Sequence, residues 1–219
     1  MPEVFPGSAE LADAAADAIE AALQGALDAR GHACLVATGG RMPGPVYDRL
    51  SQADLDWAKV AVTLSDERQV DADSPNSNAR LLRDRLFVGR AARARFLPLT
   101  DYAEPALKKL LPFDAVMLGM GEDGHIASLI PGSPVLAEGM DPDGTRLTAE
   151  SPMGFGSPPV ARITLTLAAL LQSRAIFLLI AGEAKRQVIA EAEAGADYPV
   201  RAILTQDRAP VRILWTPEG

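Results

Sequence analysis

The sequence predicts an α/β fold, a mostly parallel sheet with helices on both faces, formed by residues 1–219 as a single domain. Three observations predict it. Helix-period segments alternate with short apolar runs along the chain. The runs "HACLVATGG", "FDAVMLGM" and "AIFLLIAG" carry the continuously apolar stretches "ACLVA", "AVMLGM" and "AIFLLIAG", as strands buried on both faces do. With 48% hydrophobic and 23% charged residues, the chain has enough apolar material for one sizeable core.

Element by element, Ser8 is placed to cap a helix whose apolar positions Leu11, Ala15, Ile19, Leu23 and Leu27 recur at helical spacing, with Gly31 as its stop. "HACLVATGG" is a strand entering a glycine turn, and Pro43 suits the first turn of the next helix, through "GPVYDRL". "WAKVAVTLSDER" is a second strand carrying Asp66, Glu67 and Arg68 at its end. Asn76 or Ser77 can cap a helix with Leu81, Leu82 and Leu86 on its apolar side. "FDAVMLGM" is the next strand, and "RITLTLAALLQ" is helical after its start. "AIFLLIAG", "GEAKRQVIAEAEAG" and "VRILWT" complete the alternation as strand, helix and strand. The Pro, Gly and Asp-rich segment Glu138 to Val160 is expected to be a crossing loop.

Composition narrows the function. Twenty-one Lys+Arg against 29 Asp+Glu leave a formal charge of -8, which disfavours a nucleic-acid or acidic-membrane surface, so an anionic ligand needs a local basic pocket. One cysteine, Cys34, forms no internal disulfide, and with only His32 and His125 a Cys/His zinc cluster is not expected. The acidic N-terminal segment does not read as a signal peptide, and "AIFLLIAG" is too short to cross a bilayer. A reducing cytoplasm is the expected location.

Ligands of parallel α/β sheets bind beyond the carboxyl ends of the strands. "ATGGRMPG", "LSDER", "LGMGEDGH" and "LIAGEAK" all begin at such ends and are expected to face one crevice. "GMGEDG" matches the dinucleotide fingerprint G-x-G-x-x-G, but Pro131 stops any helix after about one turn, and Glu122 and Asp123 would repel a pyrophosphate. A catalytic loop explains more of its residue types. Asp123 and His125, two apart, are expected to project into the crevice, with the carboxylate fixing the tautomer of an imidazole poised near neutral pH.

"LGMGEDGHIASLIPG", together with "TLSDER", "SPNSNARLL", "RITLT" and "AGEAK" in this order, resembles the 6-phosphogluconolactonases over nearly the whole chain. The resemblance implies a Rossmann-like sheet of the glucosamine-6-phosphate deaminase/phosphogluconolactonase type. It also implies hydrolysis of a small-molecule sugar-phosphate lactone in the oxidative pentose phosphate pathway, with no metal or organic cofactor. His125 would be the general base on water and Asp123 its partner. The backbone of Gly119, Gly121 and Gly124 is expected to approach the substrate, where loop amides can stabilise an oxyanion. Arg68, Arg162 and Lys185, beside Gly39 and Gly40, would hold the phosphate. Asp66 would position the loop or meet a substrate hydroxyl, and Glu67 would pair with a nearby cation. A monomer or small homo-oligomer is expected. The related deaminases place a glutamate before the loop proline, where this chain has Ile130; deamination is the alternative activity, and a non-catalytic sugar-phosphate-binding module the alternative of another class.

Two positions depart from the family pattern. Where "GGSTP" is usual, this chain has "GGRMP": either Arg41 replaces the lost hydroxyl contacts with a charged one, as a site in need of cations favours, or it points outward. Gln69 stands where an aromatic commonly follows "DER".

Overall fold

The computed structural model describes residues 1–218. In chain order the first half comprises β1 (Glu3–Val4), α1 (Ser8–Arg30), β2 (Ala33–Ala37), α2 (Pro43–Leu50), β3 (Val60–Leu64), β4 (Asp66–Arg68), α3 (Asn78–Arg85), β5 (Arg95–Phe96) and α4 (Glu104–Leu107). The second half comprises β6 (Ala115–Gly119), α5 (Leu136–Gly139), β7 (Thr148–Ser151), β8 (Arg162–Leu165), α6 (Leu167–Leu171), β9 (Ile176–Ala181), α7 (Glu183–Glu193), α8 (Val200–Thr205) and β10 (Val211–Thr216).

Seven strands form one sheet in the order β1-β10-β9-β6-β2-β3-β5, and every neighbouring pair is parallel. All residues of β2 and β3 are buried. Successive strand side chains point to opposite faces, so burial of every one means that both faces are covered. After β2 the chain moves to β3 on one side, whereas β6 joins the other side of β2 and leads on to β9. The loops leaving β2 and β6 therefore diverge at a topological switch point, the place where such sheets open a crevice.

The sequence does not foretell the second sheet, an antiparallel trio in the order β4-β8-β7. "LSDER" is not the tail of β3: the chain breaks at Ser65, and Asp66–Arg68 pairs with Arg162–Leu165. Likewise the segment read as a loop from Glu138 contains β7, with Thr148, Ala149 and Ser151 buried.

Capping also differs in detail. Ser8 is the first residue of α1 rather than its cap; Gly7 is the N-cap, and the Ser8 N–H donates to the Glu218 carboxylate at 3.2 Å. A carboxylate brought from the far end of the chain thus supplies the acceptor that a capping hydroxyl would. Ser77, not Asn76, caps α3, accepting from the Arg80 N–H. Gly31 ends α1 with φ 73°, the left-handed stop the sequence predicts.

Candidate active site

A cavity of about 660 Å³ opens at the switch point. Its lining draws on all four segments expected to meet there: Gly39, Gly40 and Arg41 after β2; Asp66 and Arg68 of β4; Gly119, Gly121 and His125 from the end of β6 and its loop; and Lys185 in the first turn of α7. Arg162 of β8 completes the set.

The loop after β6 folds back on itself. Gly121 N–H donates to His125 O at 3.0 Å and Gly124 N–H to Gly121 O at 3.1 Å. Both amides are committed, so neither is a free donor for an oxyanion, contrary to the expectation for these glycines. Their roles are steric. A Cβ on Gly121 would lie 2.2 Å from His125 Nδ1 and 2.4 Å from Asp123 Oδ1. Gly124 has φ 72° and sits against the Tyr198 ring, away from the cavity lining.

Asp123 does not line the cavity either. It stands behind His125, its Oδ1 at 2.6 Å from the ring Nδ1 and 3.2 Å from the His125 N–H. An ionised carboxylate only accepts, so Nδ1 carries the proton and the Nε2 lone pair is left for an incoming proton.

The cationic wall is built by the small sheet. Arg68 and Arg162 are directly opposite each other across β4 and β8, an arrangement that is repulsive unless an anion intervenes. Arg162 is buried; its Nη2 donates to Pro158 O at 2.9 Å, and its Nη1 to the Ser128 hydroxyl at 3.3 Å, with Asp66 Oδ2 at 3.8 Å. Burial, then the Arg68 charge, hold the Arg162 guanidinium below its usual range, with Asp66 opposing. The Nε atoms of Arg68 and Arg162 are buried without a partner among the described residues. Two opposed guanidiniums with orphaned donors fit an oxyanion such as a phosphate.

Lys185 is half-buried near the N-terminus of the 11-residue α7. Burial pushes its ammonium below the ordinary lysine value; Glu122 opposes the shift and Arg41 reinforces it. The exposed Arg41 side chain lines the cavity and forms no hydrogen bond or ion pair among the described residues. Gln69 is exposed and outside the lining.

Two expectations change, and one residue is new. Among the described residues Glu67 pairs with no cation; its carboxylate accepts from the N–H groups of Arg68, Asn78 and Ala79 and from the Ser77 hydroxyl, anchoring the start of α3. Asp66 lines the cavity, but its carboxylate is held by the Ser65 hydroxyl at 3.1 Å and the Ser128 hydroxyl at 2.6 Å, which favours positioning over contact with a substrate hydroxyl. The sequence reading misses Asn78: its amide donates to Asp66 O at 2.8 Å, and a Cβ on Gly39 would fall 1.9 Å from its Oδ1. The glycine at Gly39 was the signal that something packs hard against this turn.

Fold and site together define a parallel α/β protein whose switch-point cavity sets a histidine–carboxylate pair among cationic side chains. The family described as glucosamine-6-phosphate isomerases/6-phosphogluconolactonase matches residues 6–215, and the chain belongs to it. A 6-phosphogluconolactonase of Caulobacter vibrioides is 43% identical over 223 residues, covering 97% of this chain and 96% of that protein. Another, of Rhizobium meliloti, is 40% identical and covers 98% of this chain and 97% of its own length. The crystal structure of a 6-phosphogluconolactonase from Shewanella baltica superposes with a TM-score of 0.89 at 36% identity, covering 98% of this chain and 96% of that one.

Proposed function

We propose that this chain hydrolyses 6-phospho-D-glucono-1,5-lactone to 6-phosphogluconate. The observation that carries the reading is one cavity holding both His125, tethered through Nδ1 to Asp123, and the cations Arg41, Arg68, Arg162 and Lys185. The relatives named 6-phosphogluconolactonase support it.

In the proposed mechanism the cations and the Gly39 and Gly40 turn hold the phosphate, placing C1 before His125. Nε2 takes a proton from water as the oxygen bonds to C1. The tetrahedral oxyanion collapses, the C1–ring oxygen bond breaks, and the imidazolium returns its proton to the departing ring oxygen. Water is the nucleophile: the Ser128 hydroxyl donates to Asp66 and has no histidine to activate it. In this mechanism water and the chain's own side chains suffice, with no cofactor taking part. No described helix is long and apolar enough to cross a membrane, and a cytoplasmic enzyme is the corresponding proposal, as a monomer or small homo-oligomer.

Deamination of glucosamine 6-phosphate is disfavoured at one position. Ile130 is buried and apolar where the related deaminases have a glutamate, so the loop offers no carboxylate there. A non-catalytic module would have no use for the 2.6 Å His125–Asp123 contact. The test is acid release from fresh phosphogluconolactone, blank-corrected for spontaneous hydrolysis, beside ammonia release from glucosamine 6-phosphate. Acid without ammonia is expected; ammonia, or no acid above the blank, overturns the proposal.

A further inference from the structure

We propose that Ser128 is a positioning residue that ties the loop bearing His125 to Arg162, fixing the proposed base relative to the proposed phosphate clamp. The inference rests on the lactonase reading for its kinetic test. Ser128 lies three residues beyond His125 and is fully buried. Its N–H donates to Thr164 Oγ1 at 3.1 Å, its hydroxyl donates to Asp66 Oδ2 at 2.6 Å, and the same oxygen accepts from Arg162 Nη1 at 3.3 Å. A hydroxyl has one proton to give and lone pairs to receive. Here it uses both, joining the loop to β4 through Asp66 and to β8 through Arg162 and Thr164.

The segment between His125 and Ser128 shows why such an anchor is needed. Ala127, in the cavity wall, has φ 48°, a left-handed conformation that costs a side-chain-bearing residue free energy. It is the one non-glycine residue in that region among the described residues. Such strain persists only where both flanks are held. On one flank Ile126 bridges Met120 and Leu129. On the other, Ser128 is the residue with three polar contacts. Loss of its hydroxyl would free the turn to relax, carrying His125 away from its place, and would leave Arg162 Nη1 with no hydrogen bond, only the Asp66 carboxylate at 3.8 Å.

The test is Ser128→Ala, with kcat and KM measured on phosphogluconolactone and on gluconolactone lacking the phosphate. The expected result is a loss of about tenfold or more in kcat on both substrates, as a displaced catalytic group produces, with KM rising only for the phosphorylated one. Ser128→Thr, which keeps the hydroxyl, should recover most of the kcat. A second readout needs no turnover: with only two histidines in the chain, the His125 imidazole resonance should move in Ser128→Ala while that of His32 stays in place. If the alanine variant does not fold, Ser128→Cys keeps the side chain's shape and fills the site, weakens the hydrogen bonds and is read by the same measurements. Unchanged kcat on both lactones with only a lowered Tm, or an unmoved His125 resonance, overturns the proposal. Absence of wild-type hydrolysis above the blank would refute the activity, and the resonance comparison would then decide the coupling.

Discussion

Replacing Gly121 with alanine tests the His125–Asp123 pair without touching either side chain. The backbone of Gly121 is not in the left-handed region, so alanine is tolerated there as a main-chain conformation. The new methyl is what matters. It would lie 2.2 Å from His125 Nδ1 and 2.4 Å from Asp123 Oδ1, whereas ordinary van der Waals contact begins at 3.4 Å. Asp123 is exposed and His125 partly so, which lets both side chains yield without unfolding the loop. To make room, the imidazole must retreat by roughly 1 Å or swing off Asp123, and a displacement on that scale costs on the order of 100-fold in rate. The assay is acid release at constant pH from fresh phosphogluconolactone, corrected for the blank, with circular dichroism to confirm folding. A folded Gly121→Ala enzyme with wild-type kcat would refute the argument that this pair, at this spacing, performs the chemistry.

Other outcomes follow from the same geometry. Gly124→Ala should lower Tm, because alanine at φ 72° is strained and its methyl would meet the Tyr198 ring at 2.7 Å; thermal denaturation checks this. Lys185→Ala should lower kcat/KM for the phosphorylated lactone by about one to two orders of magnitude, the worth of a charge-assisted contact, with little effect on gluconolactone. Arg41→Ser should weaken binding of the phosphorylated lactone alone, seen as a higher KM; an unchanged KM would mean that Arg41 points outward. Product binding should also take up a proton at alkaline pH. Lys185 titrates below its ordinary value of 10.5 in the free protein, and a bound phosphate raises it again, so affinity falls as pH climbs through the free-state value. Calorimetry in buffers of different ionisation enthalpy reads that uptake, and Lys185→Arg should remove it.

The main sheet was legible because β2, β6 and β9 are apolar throughout and β3 is so but for Thr63, and only strands covered on both faces take that form. The small sheet was not, because "DER", "TAES" and "RITL" are short and mix polar with apolar residues, and the β4–β8 pairing joins residues about 100 apart, as between Asp66 and Thr164, that no local period encodes. The convergence of the strand-end motifs could be read from the position of each motif relative to its strand. The division of labour within them could not. Ser128 looks like any loop serine until the fold brings Asp66 and Arg162 to it. The amides of Gly121 and Gly124 look available until the loop closes on itself. Glu67 belongs to the same charged run as Arg68, yet it spends its carboxylate on the N-terminus of α3.

The central claim is that His125 supplies the base for water attack on a phosphorylated lactone. Its most direct measurement is the blank-corrected kcat of His125→Asn on phosphogluconolactone, with product affinity measured alongside. The account predicts a fall of about two to four orders of magnitude, the usual worth of a positioned base, with product affinity retained. A folded His125→Asn enzyme that hydrolyses the lactone at the wild-type rate would contradict it.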